Sequence, residues 1–471
     1  MRLTNFEKWF AIRPHHNDND DHLAGRLTFD LAKGIYLDAV RFYSPQNKEI
    51  NRDGQTITGW LDYQTPSTII QPELIEKNGI TLSINTPALR ESARLRAASL
   101  LKNVFLEDIN DKIFTGLDVN HHAFHAWANP RLVNTEWKQE KGGTLPSLSV
   151  EIKTPQERTF NLKDGTKVSV FSATRIPRGL HTTLEEFTNL QLRFSAPVNF
   201  DKITRTAWRI SALFEFLIGA RTPPTVVKFS TTQKRQYNDE ESFLVAEYWC
   251  PPLRALPSDP PDPSRVFISE ARCPVGLETL LNHFLEESDE LIFLADMIQS
   301  VEDLDIPPTQ AFIELIGCLE AFDKRRYGSG SDKTMRENIK NIDELIKNFG
   351  SKLNKSCFSK IKEKINNSTS LIKRLERLQA EWSSDNFRGS PNLKRIVFLR
   401  NMMPHGRGHE LSSNDLQEMA IFLKYLSALG RYHVLKALGF TGDQIADAFS
   451  RGAYRLGMFV PERLIPPRGH I

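Results

Sequence analysis

The sequence predicts an α+β protein in which a β-rich N-terminal domain precedes an all-α helical bundle. Up to about residue 250, apolar residues fall in short strand-like runs parted by glycine turns; after Pro308 they recur at three-and-four helical spacing. The charge balance shifts with them. Residues 1–300 carry 34 basic and 38 acidic side chains, whereas 301–471 carry 27 and 20. At 471 residues the chain is too long for one ordinary core, and the expected domains are 1–300 and 301–471.

Taken in order, Leu27-Thr-Phe and Ile35-Tyr-Leu flank Lys33-Gly34, and Thr159-Phe-Asn-Leu and Lys167-Val-Ser-Val-Phe flank Asp164-Gly165. Both read as β-hairpins. Thr225–Phe229 and Phe243–Trp249 read as further strands. One helix is expected over Lys202–Gly219, with Ala207, Ile210, Leu213 and Leu217 on one stripe. A Pro-rich loop at 250–265 leaves room for two subdomains in this half, and a second helical segment is expected over Pro274–Val301. Beyond Ile306-Pro-Pro come helices only. Their apolar stripes are Phe312/Leu315/Ile316/Leu319, Ile339/Ile342/Leu345/Ile346/Phe349, Ile361/Ile365/Ile372/Leu375 and Met419/Phe422/Leu423/Leu426. Gly328-Ser-Gly330, Gly350 and Gly389-Ser-Pro391 are the expected breaks between them.

Composition narrows the function. The net charge is only +3, which excludes a polycationic nucleic-acid coat. The four cysteines are scattered without a Cys-x-x-Cys pair, so neither a disulfide framework nor a zinc knuckle is expected. No apolar run reaches the roughly 18 residues that cross a bilayer, and the N-terminus lacks a signal-peptide pattern. A cytoplasmic protein without a membrane partner is therefore expected. Phosphate-binding loops, the nucleophile elbow and the zincin motif are all missing. His15, His16, Asp18, Asp20, Asp21 and His22 form a polar stretch without ligand spacing, and His121, His122 and His125 have no carboxylate partner at a ligand spacing in the sequence. No metal and no other cofactor is expected.

The segment Asn392-Leu-Lys-Arg-Ile-Val-Phe-Leu-Arg400-Asn401-Met-Met-Pro-His405-Gly406 stands apart. Arginine followed after four to six residues by histidine also occurs at Arg175…His181 and Arg463…His470, but only Arg400…His405 follows an amphipathic run inside the helical half. The residue types suit RNA cleavage by the ribose 2′-OH. Histidine moves a proton near neutral pH. Arginine stays charged and forks onto phosphate oxygens as negative charge grows. Asn401 can hold the phosphate or orient the imidazole, and DNA, lacking the nucleophile, should resist. Pro404 disfavours helix at Met403, so a regular helix is expected to end near Arg400, with His405 past a kink. Residues 351–400 hold 12 basic against 4 acidic side chains, which reads as a phosphate-binding surface or as a solvated helix face.

The Arg400-Asn401…His405-Gly406 motif resembles the HEPN ribonuclease superfamily. The whole chain is similar to the ApeA family of bacterial anti-phage proteins, in which a β-rich ApeA-type domain precedes a HEPN helical bundle. The N-terminal likeness rests on His22-Leu-Ala-Gly-Arg-Leu-Thr-Phe-Asp-Leu-Ala-Lys-Gly-Ile-Tyr-Leu and on Asn189-Leu-Gln-Leu-Arg-Phe-Ser. The resemblance implies a metal-independent endoribonuclease of abortive infection, with Arg400, His405 and Asn401 catalytic and tRNA the expected RNA. It also implies a homodimer or higher homo-oligomer through the HEPN domains and a phage-derived trigger. The architecture adds a sensor or regulatory role for the strand-rich half, which shows no catalytic motif while a lethal RNase needs restraint. Glu320 is the candidate supporting acid, with a plain surface carboxylate as the alternative. Lys394, Arg395, Arg407 and His409 are candidates for RNA phosphates, with solvated surface as theirs. Two other functions stay open: a non-catalytic HEPN scaffold binding nucleotide, RNA or antitoxin, and a β-rich ligand-binding protein with a helical dimerisation domain.

Overall fold

The computed structural model describes residues 5–453 except 13–21, 44–55, 63, 83–88, 139–146, 155, 176–183, 223–226, 238–239, 252–260, 288, 304–305, 328–343, 345–370, 389–390 and 404–410. Contacts divide the chain into two compact units. Unit 1 is Met1–Glu215, Arg221–Pro263 and Ser269–Ala271; unit 2 is Phe216–Ala220, Ser264–Ile268 and Arg272–Ile471. The helices from residue 277 onward thus pack with unit 2, whereas the sequence places the division at 300/301.

Unit 1 opens with strands β1 (Phe6–Ile12), β2 (His22–Asp30), β3 (Gly34–Tyr43), β4 (Thr56–Leu61), β5 (Thr65–Ile70), β6 (Glu73–Leu82), β7 (Leu89–Ala97) and β8 (Ser99–Lys102). It continues with β9 (Phe114–Val119), helix α1 (His122–Ala128), β10 (Val133–Lys138), β11 (Ser147–Ile152), β12 (Gln156–Asn161), β13 (Lys167–Arg175) and β14 (Glu185–Val198). Helix α2 (Phe200–Ile218) and strands β15 (Val227–Tyr237) and β16 (Glu240–Trp249) follow.

Fourteen of these strands form one sheet in the order β12-β13-β14-β9-β15-β16-β8-β5-β4-β1-β2-β3-β7-β6, while β10 and β11 pair separately. Strands β1–β8 fill one end of the sheet, and the later strands fill the other. The two blocks join where β16 pairs with β8, Trp249 opposite Leu100. Both expected hairpins are present: Phe29 pairs with Ile35, and Asn161 with Lys167. In the first, Asp30 Oδ1 accepts from the amides of Ala32 and Lys33 at 2.8 and 3.0 Å, and Gly34 takes φ +105°, a conformation that costs glycine little. Phe10, Leu27, Phe29, Leu37, Leu100 and Trp249 share one core cluster, so each end of the chain's strand-rich half supplies part of it. Burial of such side chains stabilises by about 1.5–3 kcal/mol each.

Unit 2 contains α3 (Leu277–Glu286), α4 (Asp289–Glu302), α5 (Pro308–Tyr327), α6 (Leu371–Ser384), α7 (Leu393–Met402), α8 (Ser413–Ala437) and α9 (Gly442–Ala448). The single helix expected over 274–301 is two, parted at Glu287, whose extended backbone (φ −68°, ψ 164°) ends α3. The stripe Phe312, Leu315, Ile316 and Leu319 is buried as its spacing requires, and so are Leu375, Met419, Leu423 and Leu426. The stripes through Ile339–Phe349 and Ile361–Ile365 lie outside the described residues. The long helix α8 packs on α4, α5, α6, α7 and α9. Its Gly430 lets α4 approach, because a Cβ there would meet Ile298 Cδ1 at 3.0 Å. Arg431, on the same helix, is fully buried. It is held by Glu302 and the Phe216 carbonyl (2.8 Å), with its guanidinium 4.6 Å from the ring centres of Phe216 and Phe267. No helix among the described residues is long and apolar enough to cross a membrane.

Candidate active site

Helix α7 places Arg400 and Asn401. Asn392 caps it, its side chain accepting from the Arg395 amide at 3.1 Å, and Leu393, Ile396 and Leu399 anchor it by burial. Arg400 therefore falls in the last turn, where a cation also meets the negative end of the helix dipole. The helix continues to Met402, and Met403 keeps α-helical dihedrals (φ −71°, ψ −54°) although Pro404 follows. The steric bias against helix before proline is outweighed here by a helix already anchored on its buried face.

Arg400 is half-buried while Asn401 is exposed. Arg400 Nη1 donates to Asn401 Oδ1 at 3.2 Å, so the two polar residues of the motif are in direct contact. Arg400 Nε is buried with no hydrogen-bond partner among the described residues. Such a donor is costly unless a further acceptor reaches it, and a phosphate oxygen is one that the guanidinium fork suits. His405, Arg407 and His409 lie outside the described residues.

The flanks of the motif are joined by charge. Arg395 Nε donates to Glu418 Oε2 of α8 at 2.7 Å, and its Nη2 donates to Asp415 Oδ1. Asp415 also completes a capping box at the start of α8. Its carboxylate accepts from the Ser412 amide at 2.7 Å, and its own amide donates to Ser412 Oγ at 3.2 Å. These bonds hold Asp415 below the usual carboxylate range, Ser412 contributing most and Arg395 adding to it. The same pairing raises Arg395, first through Glu418. Arg395 is thus engaged in holding α7 against α8, whereas Lys394 is exposed with no ion pair among the described residues.

Glu320 on α5 faces a different arginine. Its Oε1 lies 3.7 Å from Nε of Arg374, a buried residue of α6, and about a third of its own side chain is exposed. One turn on, the fully buried Asp323 pairs with Arg377 of α6. Within the basic stretch 351–400, Arg374, Arg377 and Arg395 are therefore spent on internal carboxylates, and counting charge could not separate them from solvent-facing cations. Sequence reading passed over Asp415 and Glu418. The Ser412-x-x-Asp415 capping pattern ahead of an apolar run was the available signal.

The histidine-rich spots hold other posts. His121 caps α1, with Nδ1 accepting from Ala123 N at 3.3 Å and Nε2 3.3 Å from Thr222 Oγ1, which donates to Glu215 Oε1 at 2.8 Å. Burial lowers His121 to about 4. His125 Nδ1 meets Thr188 Oγ1 at 3.2 Å. His22 opens β2, and residues 15–21 of the first spot lie outside the described residues. Among the described residues, no three His, Cys, Asp or Glu side chains gather as a metal site.

The family model described as ApeA N-terminal domain 1 matches residues 8–282, and that described as Apea-like HEPN matches residues 313–444. No curated protein and no solved structure matches the chain.

Proposed function

Because the chain belongs to the ApeA family, with its N-terminal domain followed by a HEPN domain, we propose that it is a metal-independent endoribonuclease of bacterial anti-phage defence. The HEPN assignment supports an RNA-directed nuclease function. The observation that carries the finer reading is the pairing of half-buried Arg400 with Asn401 at the end of α7, immediately before the segment that contains His405.

In the proposed reaction the ribose 2′-oxygen forms a bond to the adjacent phosphorus as the phosphorus–5′-oxygen bond breaks. His405 takes the proton from the 2′-hydroxyl as the new bond forms and delivers it to the departing 5′-oxygen. Arg400 binds the non-bridging oxygens, its Nε gaining the acceptor it lacks, and Asn401 orients Arg400. The products are a 2′,3′-cyclic phosphate and a 5′-hydroxyl. Arg407, His409 and Lys394 supply phosphate contacts, Arg395 serves the site through its tether, and Glu320 supports it through Arg374. Two copies pair their HEPN domains to form a composite site, for which exposed Phe398 of α7 and Leu416 of α8 offer apolar surface beside the motif. The RNA is tRNA, whose anticodon loop presents unstacked bases, and a phage-derived trigger releases the activity in the cytoplasm.

The test is incubation of the protein with cellular RNA in EDTA, with sequencing of RNA ends from infected cells. Cleavage with cyclic-phosphate ends in the wild type, absent in His405→Ala, is expected. Equal cleavage by both proteins, or phage protection by both without new ends, overturns the reading.

A further inference from the structure

Unit 1 holds a recess of about 620 Å³ on the side of the sheet where its two strand blocks meet. A recess of that size falls in the range of small-molecule sites. Strands β4 and β5 contribute Trp60 and Pro66, the segment after β8 contributes Phe105, and β15 and β16 contribute Arg235 and Leu244. The site therefore draws on residues nearly two hundred positions apart, about 184 from Trp60 to Leu244, brought together by the β8–β16 pairing.

Its wall is fixed residue by residue. Thr68 Oγ1 donates to the Val104 carbonyl (3.1 Å) and accepts from the Leu106 amide (2.9 Å). Gln233 Nε2 donates to the Phe105 carbonyl at 2.7 Å, and Thr56 Oγ1 to the Glu107 carbonyl at 2.7 Å. Four successive residues are thus held by side chains from three strands. Gln233 reaches its position because the β15–β16 register shifts between Ser230 and Lys234, a bulge that re-aims the side chains after it. Phe105 then meets Trp60 edge to face, with ring centres 5.0 Å apart and planes at 85°.

The groups that face the opening are less satisfied than the wall behind them. Trp60 keeps 36% of its surface exposed. Arg235 is exposed and makes no ion pair among the described residues, while its neighbour Lys234 is held by Glu241 at 2.7 Å. Asp111, which lines the recess together with the exposed Glu107, presents an exposed carboxylate. A ligand that uses all three needs a flat ring for the indole, an anion for the guanidinium and hydroxyl donors for the carboxylate. An uncharged sugar leaves Arg235 idle, and a free phosphate leaves Trp60 idle.

We propose that this recess binds a nucleotide, its base on Trp60, its phosphate on Arg235 and its ribose hydroxyls toward Asp111. The same chemistry comes from a free mononucleotide or from the terminal nucleotide of an RNA chain. The proposal stands on unit 1 and does not depend on cleavage by the helical unit.

The test uses the full-length protein in equilibrium dialysis and calorimetry. The probes are AMP, a 5′-phosphorylated tetranucleotide that keeps the 2′-hydroxyl on its first ribose and is 2′-O-methylated on the others, adenosine, ribose 5-phosphate and inorganic phosphate. AMP or the tetranucleotide should bind at least about tenfold more tightly than adenosine and ribose 5-phosphate. Preference for AMP identifies a free nucleotide, and preference for the tetranucleotide identifies an RNA end. Trp60→Ala should weaken binding by about tenfold to a hundredfold, the usual range for one base–aromatic stack. Trp60→Phe, which keeps a ring against Phe105, should retain most of the affinity. Arg235→Gln alters an exposed side chain without an ion pair, so the fold is kept, and its affinity should fall about tenfold. Failure of both AMP and the tetranucleotide to bind at millimolar concentration overturns the proposal. So does binding unchanged by Trp60→Ala and Arg235→Gln together, or ribose 5-phosphate binding as tightly as AMP.

Discussion

Arg395 of α7 closes its guanidinium on the carboxylate of Asp415 at the head of α8, so the helix that carries Arg400 is tied to the helix that follows His405 in sequence. A second carboxylate, Glu418, sits 2.7 Å from Nε of the same arginine, making the grip two-pronged. Such a tether fixes where the motif segment leaves α7 and where it enters α8.

The first expectation concerns that tether. Arg395→Ala should lower RNA cleavage by at least about tenfold through misplacement of the motif, with the helical content by circular dichroism unchanged. Arg395→Lys should restore little, because a single ammonium cannot hold two carboxylates in the arginine's fork geometry. Hydrogen exchange across 403–412 should quicken in both variants, and unchanged exchange would remove the tether from the account.

Asp415 offers a direct readout of the same pair. Its carboxyl is held below its usual value, so its share of the folded state's stability is present above the ordinary carboxylate range and lost as pH falls through the folded value. In Arg395→Ala the Asp415 pKa, followed by NMR titration, should move up. It should stay below normal because the Ser412 hydrogen bonds, the larger cause, remain.

At the site itself, His405→Ala should reduce cleavage by about 10²–10⁴-fold, the usual range for a general acid–base group. Arg400→Ala should cost about 10²–10³-fold, and Arg400→Lys should recover only part of it. Asn401→Ala should be milder, since Asn401 touches Arg400 and, in the proposed reaction, only orients it. Single-turnover rates on a defined RNA check all three.

Two buried histidines set a lower pH limit to folding. Burial lowers His121 to about 4 and His433 to about 3, and both are neutral in the folded protein at ordinary pH. In the unfolded chain each takes up a proton near pH 6.5, so stability is full above about that value and declines as pH falls toward the folded values. The melting temperature should be flat above pH 7 and fall below about 6. His433→Gln, which can still donate to the Leu378 carbonyl that His433 Nε2 meets at 3.0 Å, should soften that fall.

The buried Arg431–Glu302 pair should be unforgiving of single changes. Glu302→Ala leaves a buried guanidinium uncompensated and should destabilise unit 2 by about 3–5 kcal/mol, measured by urea unfolding. Replacing both partners together with apolar residues of similar volume should cost far less.

The sequence shows the hairpins because their turns are local: Asp30 and Gly34, or Asp164 and Gly165, need no distant partner. Strand β7 is another matter. Leu89–Ala97 is rich in leucine, arginine and alanine, all good helix formers, and becomes a strand because β3 and β6 pair on either side of it. The site divides the same way. Arg400 and Asn401 are visible as a motif, but the work of Arg395 depends on Asp415 twenty positions away, and that of Arg374 on Glu320 of another helix. Side-chain partners at such separations leave no periodic mark in the sequence. Gly25, within the N-terminal segment that carries the family likeness, shows the reverse case. A Cβ there would collide with the Asp38 carbonyl of the neighbouring strand, so close packing of β2 on β3 demands glycine.

The joining of the two strand blocks has a consequence for synthesis. Strand β8 is complete at residue 102, but its partner β16 ends only at residue 249, about 145 residues later. At about 5–20 residues per second the ribosome needs roughly 7–30 s to deliver it. Through that interval the outer edge of β8 stands unpaired, the kind of exposed ladder on which nascent chains of the same message can cross-pair. A chaperone that shields one strand edge for those seconds would raise the yield of this protein, and slowing translation between codons 102 and 249 would lower it.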